Sequence, residues 1–169
     1  MAGWLDKKSA VVADTVYCDG KLVARDVSFT LPAITFMTAD VQAMGTLSFP
    51  IYGLIEDMEA AITKIGLDLG LAKLLRLGKK VLEFRWVQTR VKADGSTGPE
   101  GCKAFLTVAP KSLGEISPEI GSPTEIESTY AVMREQIYVD GKELLLVDRL
   151  ARKLRVDGVD LAGSLESLI

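Results

Sequence analysis

The acidic side chains come nearest to a catalytic arrangement. Glu125 and Glu127 stand two positions apart, so on a strand they project from one face, as a general acid and base would need. Glu56-Asp57 forms a second pair just before an apolar alternation, where charged residues are common. Nothing around either pair marks a pocket. The chain has no histidine, which removes the commonest general base and the commonest neutral metal ligand. Ser-His-Asp, Cys-His and H-E-x-x-H arrangements are thereby excluded within this chain. Cys18 and Cys102 form no C-x-x-C motif and read as reduced, buried small hydrophobes, although a disulfide between them stays open. Gly66 and Gly70 do not make a phosphate-cradling loop. EF-hand spacing of oxygen ligands is missing. The basic run Arg149, Arg152, Lys153 and Arg155 could meet an acidic partner, but a solvated strand face with rim salt bridges is the simpler reading. No catalytic residue, metal site or cofactor is expected, and the chain reads as non-enzymatic.

Elements that could position such groups are strands. The chain has 169 residues, enough for one domain with its own core. Twenty Lys and Arg against 23 Asp and Glu give a net charge of -3, which argues against a grip on nucleic acid through phosphate neutralisation. A mean hydropathy of +0.22 implies either a Leu- and Val-rich core or apolar surface shared between subunits. No stretch reaches membrane-span length and the first ten residues lack a signal-peptide core, so synthesis in the cytoplasm without a cleaved signal is expected.

Asp-Gly occurs at 19–20, 94–95, 140–141 and 157–158. Apolar segments flank the first and third, which predicts two tight hairpins. Val27 to Met37 reads as a strand whose apolar phase slips at Pro32, as at a bulge. Thr38 to Asp57 shows no clean period despite Met44, Leu47, Phe49, Ile51, Tyr52 and Leu54, and a short strand is expected only at Thr46 to Phe49. A long apolar irregular connector tends to pack on a partner. Met58, Ala60 and Ile62 suggest a strand. Leu69 to Leu77 is the one predicted helix, capped by Asp68 and stopped by Gly78, with Leu67, Leu71, Leu74 and Leu75 near one face. Lys79 to Lys92 reads as the longest strand, followed by a Gly/Ser/Pro loop over Ala93 to Gly101. Strands follow from about Cys102 to Pro110, Ile126 to Val139, Leu144 to Asp148 and Lys153 to Val156, with a loop over Ser112 to Thr124. The reading is roughly seven to nine strands in meander order, a mainly β, antiparallel barrel or sandwich with one short α-helix.

Tyr138-Val139-Asp140-Gly141-Lys142-Glu143-Leu144, then Val147-Asp148, then Val156-Asp157-Gly158-Val159-Asp160-Leu161, resembles the ending of the major tail tube proteins of contractile-tailed bacteriophages and R-type pyocin-like particles. The start agrees, with a strand into Asp19-Gly20 and then Thr30-Leu31-Pro32. The resemblance covers most of the chain and is weakest from 39 to 125.

It implies a single tail tube domain over 1–169, with a long inter-ring loop at about 39–55. Subunits would form hexameric rings stacked into the inner tube of a contractile tail. The lumen would conduct DNA in a phage, and the tube would puncture the envelope in a bacteriocin. Ring stacking would fall to Met44, Leu47, Phe49, Ile51, Tyr52 and Leu54, and the lumen to Glu59, Thr63, Glu83, Arg85 and Thr89. Implied partners are other copies of the chain, the tail sheath, a baseplate tube initiator, a tail terminator, a tape measure protein during assembly and DNA in transit, with no stable membrane association. The implied location is the virion tail, assembled in the host cytoplasm. Other readings are a secretion-system tube protein of the hemolysin-coregulated type, a baseplate tube-initiator ring and, from a different class, a ligand-binding β-barrel.

Overall fold

The computed structural model describes residues 6–161 and 167–168. Twelve strands and one helix appear among them. β1 (Lys7–Cys18) and β2 (Lys21–Arg25) form a hairpin, and β3 (Ser28–Thr30) follows. β4 (Phe36–Gln42) and β5 (Thr46–Ile55) make a separate ribbon, and β6 (Glu59–Ile65) leads into α1 (Leu69–Leu75). The long β7 (Lys80–Val91), β8 (Thr97–Ser112) and β9 (Glu125–Val139) come next, then β10 (Lys142–Asp148), β11 (Lys153–Val156) and β12 (Val159–Asp160). Asp19-Gly20, Asp140-Gly141 and Asp157-Gly158 all have positive φ at both positions, the geometry that lets a two-residue turn match the strands' twist. Asp94-Gly95 differs: its turn is longer, and the Asp94 carboxylate accepts from the Ser96 backbone N–H at 2.9 Å.

Ten strands form one antiparallel sheet in the order β12-β11-β10-β9-β8-β7-β1-β2, with β6 on β9 and β3 on β6. β9 gives one edge to β8 from Thr129 to Val139. Its other edge is divided: β6 pairs residues 125–131 and β10 pairs residues 134–139. The sheet forks there, and β2-β1-β7-β8-β9-β6-β3 encloses a core that includes Val16, Ile62, Leu82, Phe84, Leu106, Val108 and Tyr130. The two margins of this wall meet where Lys64 Nζ donates to the Val23 carbonyl at 3.2 Å. Helix α1 lies against the same carbonyl. A Cβ on Gly70 would stand 2.4 Å from it, so only glycine permits that approach.

Several expectations are corrected. β8 and β9, with 16 and 15 residues, are longer than β7 with 12. The expected loop over Ala93 to Gly101 shrinks to a turn, because Thr97 to Gly101 continue the ladder with β7. Pro99 is accommodated because that end of β8 pairs on one edge only, where a missing donor costs nothing. No bulged strand runs through Pro32: β3 stops at Thr30, and Phe36 already belongs to the other ribbon. The helix ends at Leu75, where Arg76 turns extended. Asp68 does cap it, accepting from Leu71 N–H at 3.1 Å, which leaves Leu67 outside the helix and exposed.

Lys64, Lys80, Glu100 and Glu135 are buried charges that were not anticipated, and Lys80 and Glu135 are the deepest. Lys80 is 2% exposed and its ammonium donates to the Lys73, Leu74 and Arg76 carbonyls, the unsatisfied C-terminal end of α1. Desolvation lowers its pKa. The Tyr130 hydroxyl donates to the Leu74 carbonyl at 3.0 Å, and burial pushes its pKa up to about 12. Together these bonds fasten the helix to the barrel. Glu135 is 0% exposed, lies between Leu106 and Val147 in the ladder, and neither carboxyl oxygen has a hydrogen-bond partner among the described residues. Desolvation raises its pKa from 4.5 to about 7.

Two outcomes are expected. Lys80→Met leaves three helix carbonyls without their donor and should cost on the order of 3 kcal/mol in thermal or urea unfolding. Glu135 binds its proton more tightly folded than unfolded, so its penalty is absent below pH 4.5, grows as pH rises, and is complete above about 7. Glu135→Gln should flatten this loss, worth about 3 kcal/mol, between urea midpoints measured at pH 5 and pH 8.

Candidate assembly surfaces

The apolar connector is a regular β-hairpin and not an irregular loop with one short strand. Its turn has Met44 at φ 52° and Gly45 at φ 122°, and Ala43 N–H donates to the Gly45 carbonyl at 2.8 Å. The register sets Met37 opposite Ile51, Ala39 opposite Phe49 and Val41 opposite Leu47. These six apolar residues share one face. The other face carries Thr38 with Pro50, Asp40 with Ser48 and Gln42 with Thr46. Ser48 Oγ donates to Asp40 Oδ1 at 2.8 Å.

The ribbon is thus amphipathic, yet its apolar face is open. Met37, Val41, Leu47 and Phe49 are each about half exposed, and Met44 at the tip is fully exposed. Of the six residues predicted to stack rings, Leu47, Phe49 and Ile51 share that face and Met44 forms the tip. Tyr52 and Leu54 lie beyond a register shift near the base, where Tyr52 meets Phe36 edge-on at 5.2 Å. Alternation by two was present in residues 37–42 and 47–51. Pro50 obscured it, since proline argues against a strand, but β5 is paired on one edge only.

The base of the ribbon is pinned. Glu56 N–H donates to the Thr35 carbonyl at 2.8 Å. Arg149, in the turn after β10, donates to the Ile55 carbonyl at 3.0 Å and lies 3.8 Å from Asp57. Two of the four basic residues are thus engaged within the fold, since Arg155 makes two bonds to Glu143, at 2.5 and 3.0 Å, while Arg152 and Lys153 are exposed.

All five residues predicted for the lumen lie on the side of the sheet away from the core. On β7, Lys80, Leu82 and Phe84 point inward, so Glu83, Arg85 and Thr89 point outward. Glu83 pairs with Arg85, whose guanidinium lies 4.4 Å from the Tyr17 ring centre. On β6, Ala60, Ile62 and Lys64 point inward, leaving Glu59 and Thr63 outward. Glu59 pairs with Lys111 at 2.8 Å across β9. The two groups share one side but not one cluster, because β8 and β9 separate their strands.

No cluster of three metal-ligating side chains occurs among the described residues. Cys18 and Cys102 are both free and buried. Burial raises both thiols' pKa. Glu125 and Glu127 are exposed at the start of β9. The barrel interior is filled by side chains such as Phe84 and Tyr130. A depression of about 770 Å³ lies instead on the outward side, beside Tyr17, Arg85, Lys103, Phe105 and Tyr138. Sequence reading missed one surface altogether: Ile65, Leu67, Leu69 and Leu77 stand exposed around α1.

A family profile described as "Phage tail tube protein FII" matches residues 9–169. Among the solved structures that resemble the fold are two from one contractile injection system. One is a chain of the PVC sheath-tube complex, an extracellular contractile injection system in its extended state. It has 14% identity and a TM-score of 0.50, covering 74% of this chain and 87% of that one. The other is a chain of the PVC sheath/tube terminator in the extended state, with 15% identity and a TM-score of 0.50, covering 74% and 92%. At such identities the likeness concerns the fold. No curated protein matches the chain in sequence.

Arg149→Ala should free the ribbon's base while leaving the barrel intact. Hydrogen exchange is expected to quicken in β4 and β5 only, with global stability falling by less than about 1 kcal/mol.

Proposed function

Because this chain belongs to the phage tail tube protein FII family, we propose that it closes into hexameric rings and that the β4–β5 hairpin stacks them into the inner tube of a contractile tail. A tail tube protein is a structural subunit, and the mainly antiparallel β fold fits that work. The observation that carries the stacking role is the hairpin's open apolar face. A two-stranded ribbon is marginal in water, and this one leaves Met37, Val41, Leu47 and Phe49 half exposed. A neighbouring ring would cover them.

The ring itself is supported by unpaired backbone. Among the described residues, β12 ends the sheet with one free edge, and β4 and β5 each present another. Such edges invite pairing with a further strand, and a closed ring removes them. The proposal puts Glu59, Thr63, Glu83, Arg85 and Thr89 on the lumen wall, with Thr38 to Asp57 bridging successive rings. Glu59 and Glu83 are balanced by Lys111 and Arg85, so these pairs add no net positive charge to hold passing DNA. Partners would be the sheath outside, an initiator and a terminator at the two ends, and a tape measure protein within. The location would be the particle's tail.

Replacing residues 37–54 by a short turn should give folded subunits that form single rings and no tubes in negative-stain electron microscopy. Tubes of ordinary length from that variant would overturn the stacking role.

A further inference from the structure

We infer that the exposed leucine patch around α1 is the surface on which the β4–β5 hairpin of a second copy, in the next ring, is seated. This rests on the stacking role proposed for the hairpin, and adds where it lands. A head-to-tail contact joins two different surfaces of one chain, and repeated stacking needs them at opposite ends. β6 runs from the hairpin's base at Glu59 to Ile65, its seven residues spanning roughly 20 Å. At its far end stand Ile65, Leu67, Leu69 and Leu77, exposed by 59, 59, 87 and 76%.

Single exposed leucines are ordinary; three leucines and an isoleucine around one seven-residue helix form a patch. Other connections gather at the same end. Asp19 N–H donates to the Val81 carbonyl, and Gly66 N–H donates to the Thr124 carbonyl. The buried bonds from Lys80 and Tyr130 hold α1 rigidly there. The patch is therefore a fixed seat and not a loose segment.

Charge complements the apolar match. Between Phe36 and Ile55 the only charged residue is Asp40, and Glu56 and Asp57 follow at the base. Around α1, the exposed Lys21, Lys73 and Lys79 make no ion pair among the described residues and outnumber the exposed Glu125 opposite Ile65, while Asp68 and Asp19 are matched by Lys64 and Arg76. A ribbon whose one charge is acidic thus meets a rim richer in lysines than in free carboxylates, which favours one polarity of contact.

The test is Leu69→Glu with Leu77→Glu in the full chain, scored by electron microscopy beside the hairpin replacement. Both side chains are exposed, so the subunit should fold. Rings are expected to persist while tubes fall at least tenfold. In a second variant, Met44→Cys with Leu69→Cys, oxidation should give a ladder of cross-linked subunits in tubes, since Cys18 and Cys102 are buried. Ordinary tubes from the double Glu variant, with the hairpin replacement still blocking growth, would overturn the seat and leave the stacking role standing. Ordinary tubes from both would overturn the two together. Loss of rings in the Glu variant would make the patch a contact within a ring and overturn the inference.

Discussion

Strand β9 must serve two partners along a single edge. β6 takes its first half and β10 its second, while β8 pairs the opposite edge from Thr129 to Val139. A regular ladder cannot make that change without a break. The register against β8 shifts between Thr107 and Val108, opposite Arg134 and Val132, leaving Met133 as the extra residue. The freed backbone is reused: Val132 N–H donates to the Met58 carbonyl, and Arg149 N–H donates to the Met133 carbonyl. Both bonds fall where the β4–β5 ribbon leaves the barrel. The bulge thus sets the fork, and the fork sets where the ribbon projects.

The same shift explains why Glu135 is buried. One extra residue moves it into phase with Val132 and Leu106, so its carboxyl faces apolar neighbours. Lys80 shows the opposite solution. Its ammonium leaves water only to meet carbonyls that the end of α1 would otherwise leave without donors. Both groups lose hydration on burial, but only Lys80 recovers hydrogen bonds, which is why one anchors the fold and the other burdens it as pH rises.

What could be read beforehand followed from burial on one face only. Leu82 and Phe84, Ala104 and Leu106, and Ala60 and Ile62 alternate against a dry core, so their strands announced themselves. Asp-Gly marked the turns because few other pairs accept two successive positive φ angles. The ribbon at 36–55 was harder. Its apolar residues face water in the single chain, and Pro50 interrupts the pattern. Lys80 looked like any solvated strand end, since no local signal says that a helix terminus will stand over it. The candidate stacking residues were recognisable as apolar and unplaced, but their division into face, tip and base needed the register. The closing motif from Tyr138 to Leu161 carried the family because two of its turns and their flanking strands, β9 to β12, form one continuous part of the sheet.

Apolar surface is distributed unevenly over this molecule. The barrel is sealed, with Val16, Leu82, Phe84, Leu106 and Tyr130 wholly buried. Exposed apolar residues occur in several places, and two of the groups lie on the ribbon and around α1, at the two ends of β6. Burial at roughly 25 cal/mol per Å² would make either surface adhesive, and a chain meant to remain alone would gain by losing them. Neither can fold back onto the other, because β6 and the wall of the barrel hold them apart. The proposed contact that would cover both is intermolecular, and because the two surfaces differ, it would have a direction. A stack built this way grows with one polarity, which is the geometry a tube with distinct ends requires.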